Sequence, residues 1–149
     1  MASRATSYRL DPTVKGRLEE HAAAQRVPER TLLEQLISEG LDSRDHPGIV
    51  YRDGPSGRRA ALAVGPDVWE VVSALRHTDG TAEHRVTDLA EQFGLHPRHI
   101  RAAIDFAAAH RTEIDAQVAE NDAAAERAQA AAEARSALLA SGVSPGGSR

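Results

Sequence analysis

Hydrophobic and polar positions change rhythm along the chain, and each change predicts an element. From Ala5 to Leu10 they alternate, with Thr6, Tyr8 and Leu10 on one face of an extended segment and Ala5, Ser7 and Arg9 on the other, the period of a strand. Asp11 then offers a helix cap with Pro12 at the first helical position, and Val14, Leu18 and Ala22 recur every fourth residue on one face. After the Arg26-Val27-Pro28 break a second helix is predicted. Leu32, Leu33, Leu36, Ile37 and Leu41 form its apolar stripe, and Gly40 is placed to end it. The polar run from Asp42 to Gly48 marks a domain boundary.

Beyond that boundary, Ile49 to Arg52 and Arg58 to Val64 flank the turn cluster Asp53-Gly54-Pro55-Ser56-Gly57, which predicts a β-hairpin. A phosphate-cradling loop is the alternative for these glycines, but the Gly-Lys-Ser/Thr ending it needs is missing. Gly65-Pro66-Asp67 opens a helix through Val68, Trp69, Val71, Val72 and Leu75, with the lone tryptophan expected in a core beneath the hairpin. His77 to His84 reads as a polar loop. Asp88 to Gly94 reads as a short helix capped by Thr87 and ended by Gly94, and Pro97 starts another that carries Ile100, Ala103, Ile104 and Ala107 on one face. An alanine-rich helix from Thr112 to Leu139 follows, with Thr112 and Asp115 able to form a capping box, and Ser141 to Arg149 reads as a disordered end.

A strand with no neighbour in sequence, followed by two helices too small to enclose a core, must find its missing half in another molecule, since chains of about 40 residues rarely fold alone. Residues 5 to 43 resemble the ribbon-helix-helix repressors, the family of Arc, MetJ and CopG and of many antitoxins. The resemblance implies that two chains pair their strands into an antiparallel ribbon that enters the major groove, while the helices form the dimer core. Thr6, Tyr8 and Leu10 would then face inward and Ala5, Ser7 and Arg9 would face the bases. Arg9 is the strongest reader, because its fork can bond guanine in a bidentate way. The family also rests the N-terminus of its second helix on a phosphate, here around Pro28 to Thr31. Pro28 has no N–H to give and Glu29 adds a negative charge, so Arg30 and Thr31 would carry that contact. A dimerisation ribbon without DNA contact is the plainer reading of the same segment.

Leu89-Ala90-Glu91-Gln92-Phe93-Gly94-Leu95 followed by Ile100 resembles a helix-turn-helix unit, with a small residue at the helix crossing, glycine in the turn and a branched residue on the second helix. As a DNA reader it would present Arg98, His99, Arg101 and Asp105, the last an acid that opposes phosphate contact; as a simple helical corner it would present them to solvent. The wider stretch from His46 to about Asp115 looks like a small helical domain of bacterial antitoxins found beside toxins with a PIN-like nuclease fold. That resemblance implies a toxin partner. The alanine-rich helix is either a solvated helix or an arm that orders along such a partner, with Ile114, Val118, Leu138 and Leu139 as its apolar anchors.

The expected architecture is therefore mainly α: a ribbon-helix-helix unit over 1–43, a small helical domain with a hairpin over 44–111, and a helical arm and tail over 112–149. Composition adds bounds. The formal net charge is −4, and by region the basic and acidic residues number seven and seven in 1–44, eight and nine in 45–111, and three and six in 112–149. A balanced N-terminal unit predicts modest DNA affinity that depends on dimers or arrays of dimers, and an acidic arm predicts a basic partner. No run of 18 apolar residues and no signal-peptide pattern is present, so a cytoplasmic, nucleoid-associated protein is expected. There is no cysteine, and the His96–His99 pair lacks companions for a metal shell, so neither a metal nor another cofactor is expected. No nucleophile-base arrangement stands out, so an enzyme is not expected. The sequence-level expectation is an antitoxin and autorepressor that binds operator DNA as a homodimer and a nuclease-type toxin through its C-terminal part. The alternative is a plain DNA-binding regulator or architectural protein without a toxin.

Overall fold

The computed structural model describes residues 4–55 and 57–141. They form six helices and one antiparallel hairpin in the order helices, hairpin, helices: α1 (Pro12–Gln25), α2 (Glu29–Asp45), β1 (Ile49–Gly54), β2 (Gly57–Leu62), α3 (Val68–Leu75), α4 (Ala82–Phe93), α5 (Pro97–Ala109) and α6 (Arg111–Ser141). The chain divides into two compact units, Met1–Pro47 and Gly48–Arg149.

Unit 1 is a helical hairpin. Asp11 caps α1, its Oδ1 accepting from the N–H of Thr13 at 2.9 Å and Val14 at 3.4 Å, with Pro12 in the first turn as expected. The helix closes on Arg26 in the left-handed region, at φ 56°, where the N–H groups of Arg26 and Val27 reach the carbonyls of Ala23 and Ala22. α2 runs past Gly40 to Asp45, so the expected stop at Gly40 and the boundary at 43 both move. One glycine costs about 1 kcal/mol in a helix interior and does not end it. Pro47 does, since it disfavours helical geometry at His46, which sits at φ −125° and ψ 79°. Leu18, Ala22 and Leu32 are buried between the helices, and Val27 and Leu33 pack against them.

No N-terminal ribbon forms within the chain. Residues 4–10 take no strand and are exposed, which corrects the expected strand over Ala5 to Leu10. The reason is the ladder: a segment becomes a strand only by bonding a neighbour, and the two strands among the described residues are paired with each other.

Unit 2 has a larger core. β1 and β2 pair from Ile49↔Leu62 to Gly54↔Gly57, which bears out the hairpin. Ile49, Ala60 and Leu62 point into a core completed by Val68 and Val71 of α3, Leu89 of α4, Ile100, Ala103 and Phe106 of α5, and Ile114 and Val118 of α6. Trp69 is only half-buried. Its ring lies 5.5 Å from the guanidinium carbon of Arg59, and its Nε1 donates to Asp67 Oδ2 at 3.2 Å. Asp67 also takes Arg52 Nη2 at 3.3 Å and lies 3.9 Å from Arg59 Nη1. One carboxylate at the start of α3 therefore ties down both strands.

Helix starts differ from expectation where a better cap lies upstream. α4 begins at Ala82, with Thr81 Oγ1 accepting from the N–H of His84 at 3.3 Å. Thr87 lies mid-helix, its hydroxyl donating to the Glu83 carbonyl at 3.1 Å, so it caps nothing. α6 begins at Arg111, directly after α5, and the expected Thr112–Asp115 box gives way to ion pairs from Asp115 to Arg76 and Arg111, each at 3.4 Å. Ser141 is the last residue of α6, and the rest of the expected disordered end lies outside the described residues. No helix among the described residues is long and apolar enough to cross a membrane.

Candidate functional site

The packing of unit 1 leaves one face of its helical hairpin uncovered. Val14, Leu36, Ile37 and Leu41 keep 50, 49, 50 and 57% of their surface exposed. Val14, Leu36 and Ile37, with Leu10, Leu18, Leu32 and Leu33, line a hollow of about 430 Å³. Three of the five positions of the apolar stripe predicted for α2 thus stay about half-exposed within the chain. Tyr8, on the extended segment that leads to this face, is more exposed still. A helical hairpin with three buried residues does not leave such a face open to water at no cost.

Ala5, Ser7 and Arg9 all lie on the exposed extended segment 4–10. Arg30 and Thr31 sit in the first turn of α2, as expected. Leu32 is the first residue there whose N–H is taken up, by the Pro28 carbonyl at 3.1 Å, so the N–H groups of Glu29, Arg30 and Thr31 point outward as at any helix start. Lys15 bonds the carboxylate of Glu29 and pairs with Glu19 at 3.2 Å. Glu29, and then Glu19, hold the Lys15 ammonium above its ordinary pKa. The carboxylate that opposed a phosphate contact in the sequence is therefore drawn toward α1. Arg30 pairs with Glu34 at 2.9 Å on the open surface, an exchangeable contact.

The helix-turn-helix-like corner is formed by α4 and α5. Gly94 stands at φ 65°, and the N–H groups of Gly94 and Leu95 close onto the carbonyls of Glu91 at 3.2 Å and Ala90 at 2.8 Å. His96 caps α5, its Nδ1 accepting from the N–H of Arg98 at 3.2 Å. Arg98 is exposed and Arg101 is bonded to Glu83 of α4, so only part of the expected cationic set faces outward unpaired. His99 is half-buried against Arg98, whose Nε donates to it at 3.4 Å. Among the described residues no three His, Asp or Glu side chains are grouped to hold a metal ion.

No protein-family model, no curated protein and no solved structure matches this chain.

The four anchors expected on the arm separate into two pairs. Ile114 and Val118 are fully enclosed in the core of unit 2, where they fasten α6 to α3 and α5, so they are not open to a partner. Leu138 and Leu139 stand 73 and 78% exposed at the far end of the same helix. Sequence reasoning missed an acidic stripe there. Asp115, Asp122, Glu126 and Glu133 recur at spacings of seven, four and seven, which places them on one helical face. Asp115 and Asp122 are drawn to Arg76, at 3.4 and 3.9 Å, while Glu126 and Glu133 project beyond the core.

Proposed function

We propose that this chain is a homodimeric, ribbon-helix-helix type DNA-binding repressor whose C-terminal part holds a protein partner, in the manner of an antitoxin with a nuclease-type toxin. The observation that carries the reading is the uncovered apolar face of unit 1. A second copy would bring the α2 stripes together and place two Ala5 to Leu10 segments side by side, giving each the ladder partner it lacks. The energetics favour both contacts acting together. Completing the burial of four half-exposed aliphatic side chains on each of two copies contributes on the order of 8 kcal/mol, against an association cost of about 4–15 kcal/mol. The helical face alone is marginal, and a strand ladder supplies the rest.

In such a ribbon Arg9 and Ser7 project together into the major groove, and Arg30 and Thr31 at the start of α2 meet the adjacent phosphate. The partner half of the reading rests on the arm. Its Glu126–Glu133 stripe and terminal leucines suit a basic surface of the kind an RNA-cleaving protein must carry. Arg98, His99 and Arg101 are a secondary DNA contact at most, since Arg101 already has an acidic neighbour.

Two measurements test the reading. Selection of duplexes from a random pool should return a two-fold symmetric site with the wild-type chain, and Arg9→Ala should lose about 1–3 kcal/mol of discrimination at each guanine contact without loss of fold. Recovery of an unenriched pool would reject the ribbon as a reader. Co-expression with the adjacent reading frame should give a complex with the full chain and a weaker one with a chain ending after Asp122. If the neighbour binds neither, the plain-regulator reading takes the place of the antitoxin one.

A further inference from the structure

Unit 2 carries a groove that the DNA reading does not use. Two hollows of about 340 and 310 Å³ lie side by side and share Leu75, Arg85 and Ile104. Val72, Ala107 and Ala108 extend the apolar floor. Arg85 is half-buried at the junction. Its Nη2 donates to the Leu75 carbonyl at 2.6 Å, and its Nε is enclosed with no hydrogen-bond partner among the described residues. The neighbouring Arg76 and Arg111 both pair with Asp115 at 3.4 Å, whereas among the described residues no carboxylate forms an ion pair with Arg85, although Asp115 and Asp105 line the two hollows with it. A half-buried guanidinium with one enclosed N–H unsatisfied and no ion pair is costly, and a carboxylate delivered into the groove would offset that cost with a charge-assisted bond.

The same unit carries carboxylates that have no basic partner among the described residues. Glu126 and Glu133 lie about 18 and 28 Å along α6 from Ile114, which lines the groove, so a continuous helix cannot return them to it. They are about 10 Å apart on one face, with Gln129 and Ala130 between them. Alanine there lets a helix axis come close to a shallow floor. We propose that the groove of unit 2 receives the α6 arm of a second copy, with the Glu126–Glu133 stripe set against Arg85. The exchange is reciprocal: each copy gives an arm and takes one, the closed two-fold arrangement expected of a self-complementary surface. A basic protein partner would compete with the second copy for the same stripe.

Because the chain has no cysteine, single cysteines report this contact without background. Full-length chains carrying Ala108→Cys in the groove are mixed with chains carrying Glu126→Cys or Glu133→Cys and oxidised mildly. At least one mixture should give a covalent heterodimer at several times the yield from Ala131→Cys, which lies on the opposite side of α6. Arg85→Glu should abolish the cross-link, Arg85→Lys should keep it, and adding to Arg85→Glu a lysine at whichever of positions 126 and 133 does not carry the cysteine should restore it. Cross-links that persist in the Leu36→Asp background arise in unit 2 independently of the proposed unit 1 dimer. Equal yield from Ala131→Cys, indifference to Arg85→Glu, or loss in the Leu36→Asp background would each overturn the proposal.

Discussion

At the residue scale, single side chains carry most of the local structure, and their signals differ in how openly the sequence displays them. Asp11 and Gly94 are read from residue type alone, because capping and left-handed geometry have strong chemical preferences. Phe106 is not. It occupies the centre of unit 2, stacked on His110 at 4.1 Å and edge-on to Tyr51 at 6.3 Å, although its alanine-rich surroundings give little periodic signal. Phe106→Ala is expected to lower stability by about 3–5 kcal/mol in denaturant unfolding. Asp67 acts differently, through the strands it holds: Asp67→Ala should cost about 2 kcal/mol, because one carboxylate meets Arg52, Arg59 and the Trp69 indole. Arg26 points the other way. It is the one non-glycine residue with positive φ among those described, so Arg26→Gly is expected to raise the melting temperature modestly, by up to about 1 kcal/mol of stability.

At the scale of elements, the sequence shows what each helix is for more readily than where it begins. The α2 stripe was legible, but Gly40 did not end the helix, because one poor helix former is outweighed by good ones on both sides. Thr87 yielded to Thr81 for a similar reason: an N-cap is set by where the chain turns, and the Arg76–Thr81 turn comes six residues earlier. The boundary of the arm moved most. Ile114 and Val118 continue an apolar pattern that was readable, yet whether such a pattern meets a partner or its own core depends on long-range packing. Truncation after Arg111 would therefore remove two core residues and should unfold unit 2, whereas truncation after Asp122 should leave its melting transition within about 1 kcal/mol of wild type. Circular dichroism of the two shortened chains distinguishes these outcomes. Beyond Asp122 the helix is held by alanine propensity alone, so its amides should exchange far faster than those of α5.

At the scale of the whole molecule, two compact units were legible from the polar run at Asp42 to Gly48, and a mainly α chain with one hairpin follows from the patterning. The N-terminal ribbon was not something one chain could form. On the reading proposed above, the alternation at Thr6, Tyr8 and Leu10 and the open face of Val14, Leu36, Ile37 and Leu41 would both be covered by a second molecule. Removing residues 1–10 should therefore weaken dimerisation on this reading, even though residues 4–10 are exposed within their own chain. Closure of that face by a second copy is the claim on which the rest stands. Sedimentation equilibrium of the chain ending after Asp122, which keeps unit 2 but lacks the arm, tests it most directly. A dimer at micromolar concentration that becomes monomeric with Leu36→Asp is the predicted result; a monomer before substitution, or a dimer that Leu36→Asp leaves unchanged, would contradict it.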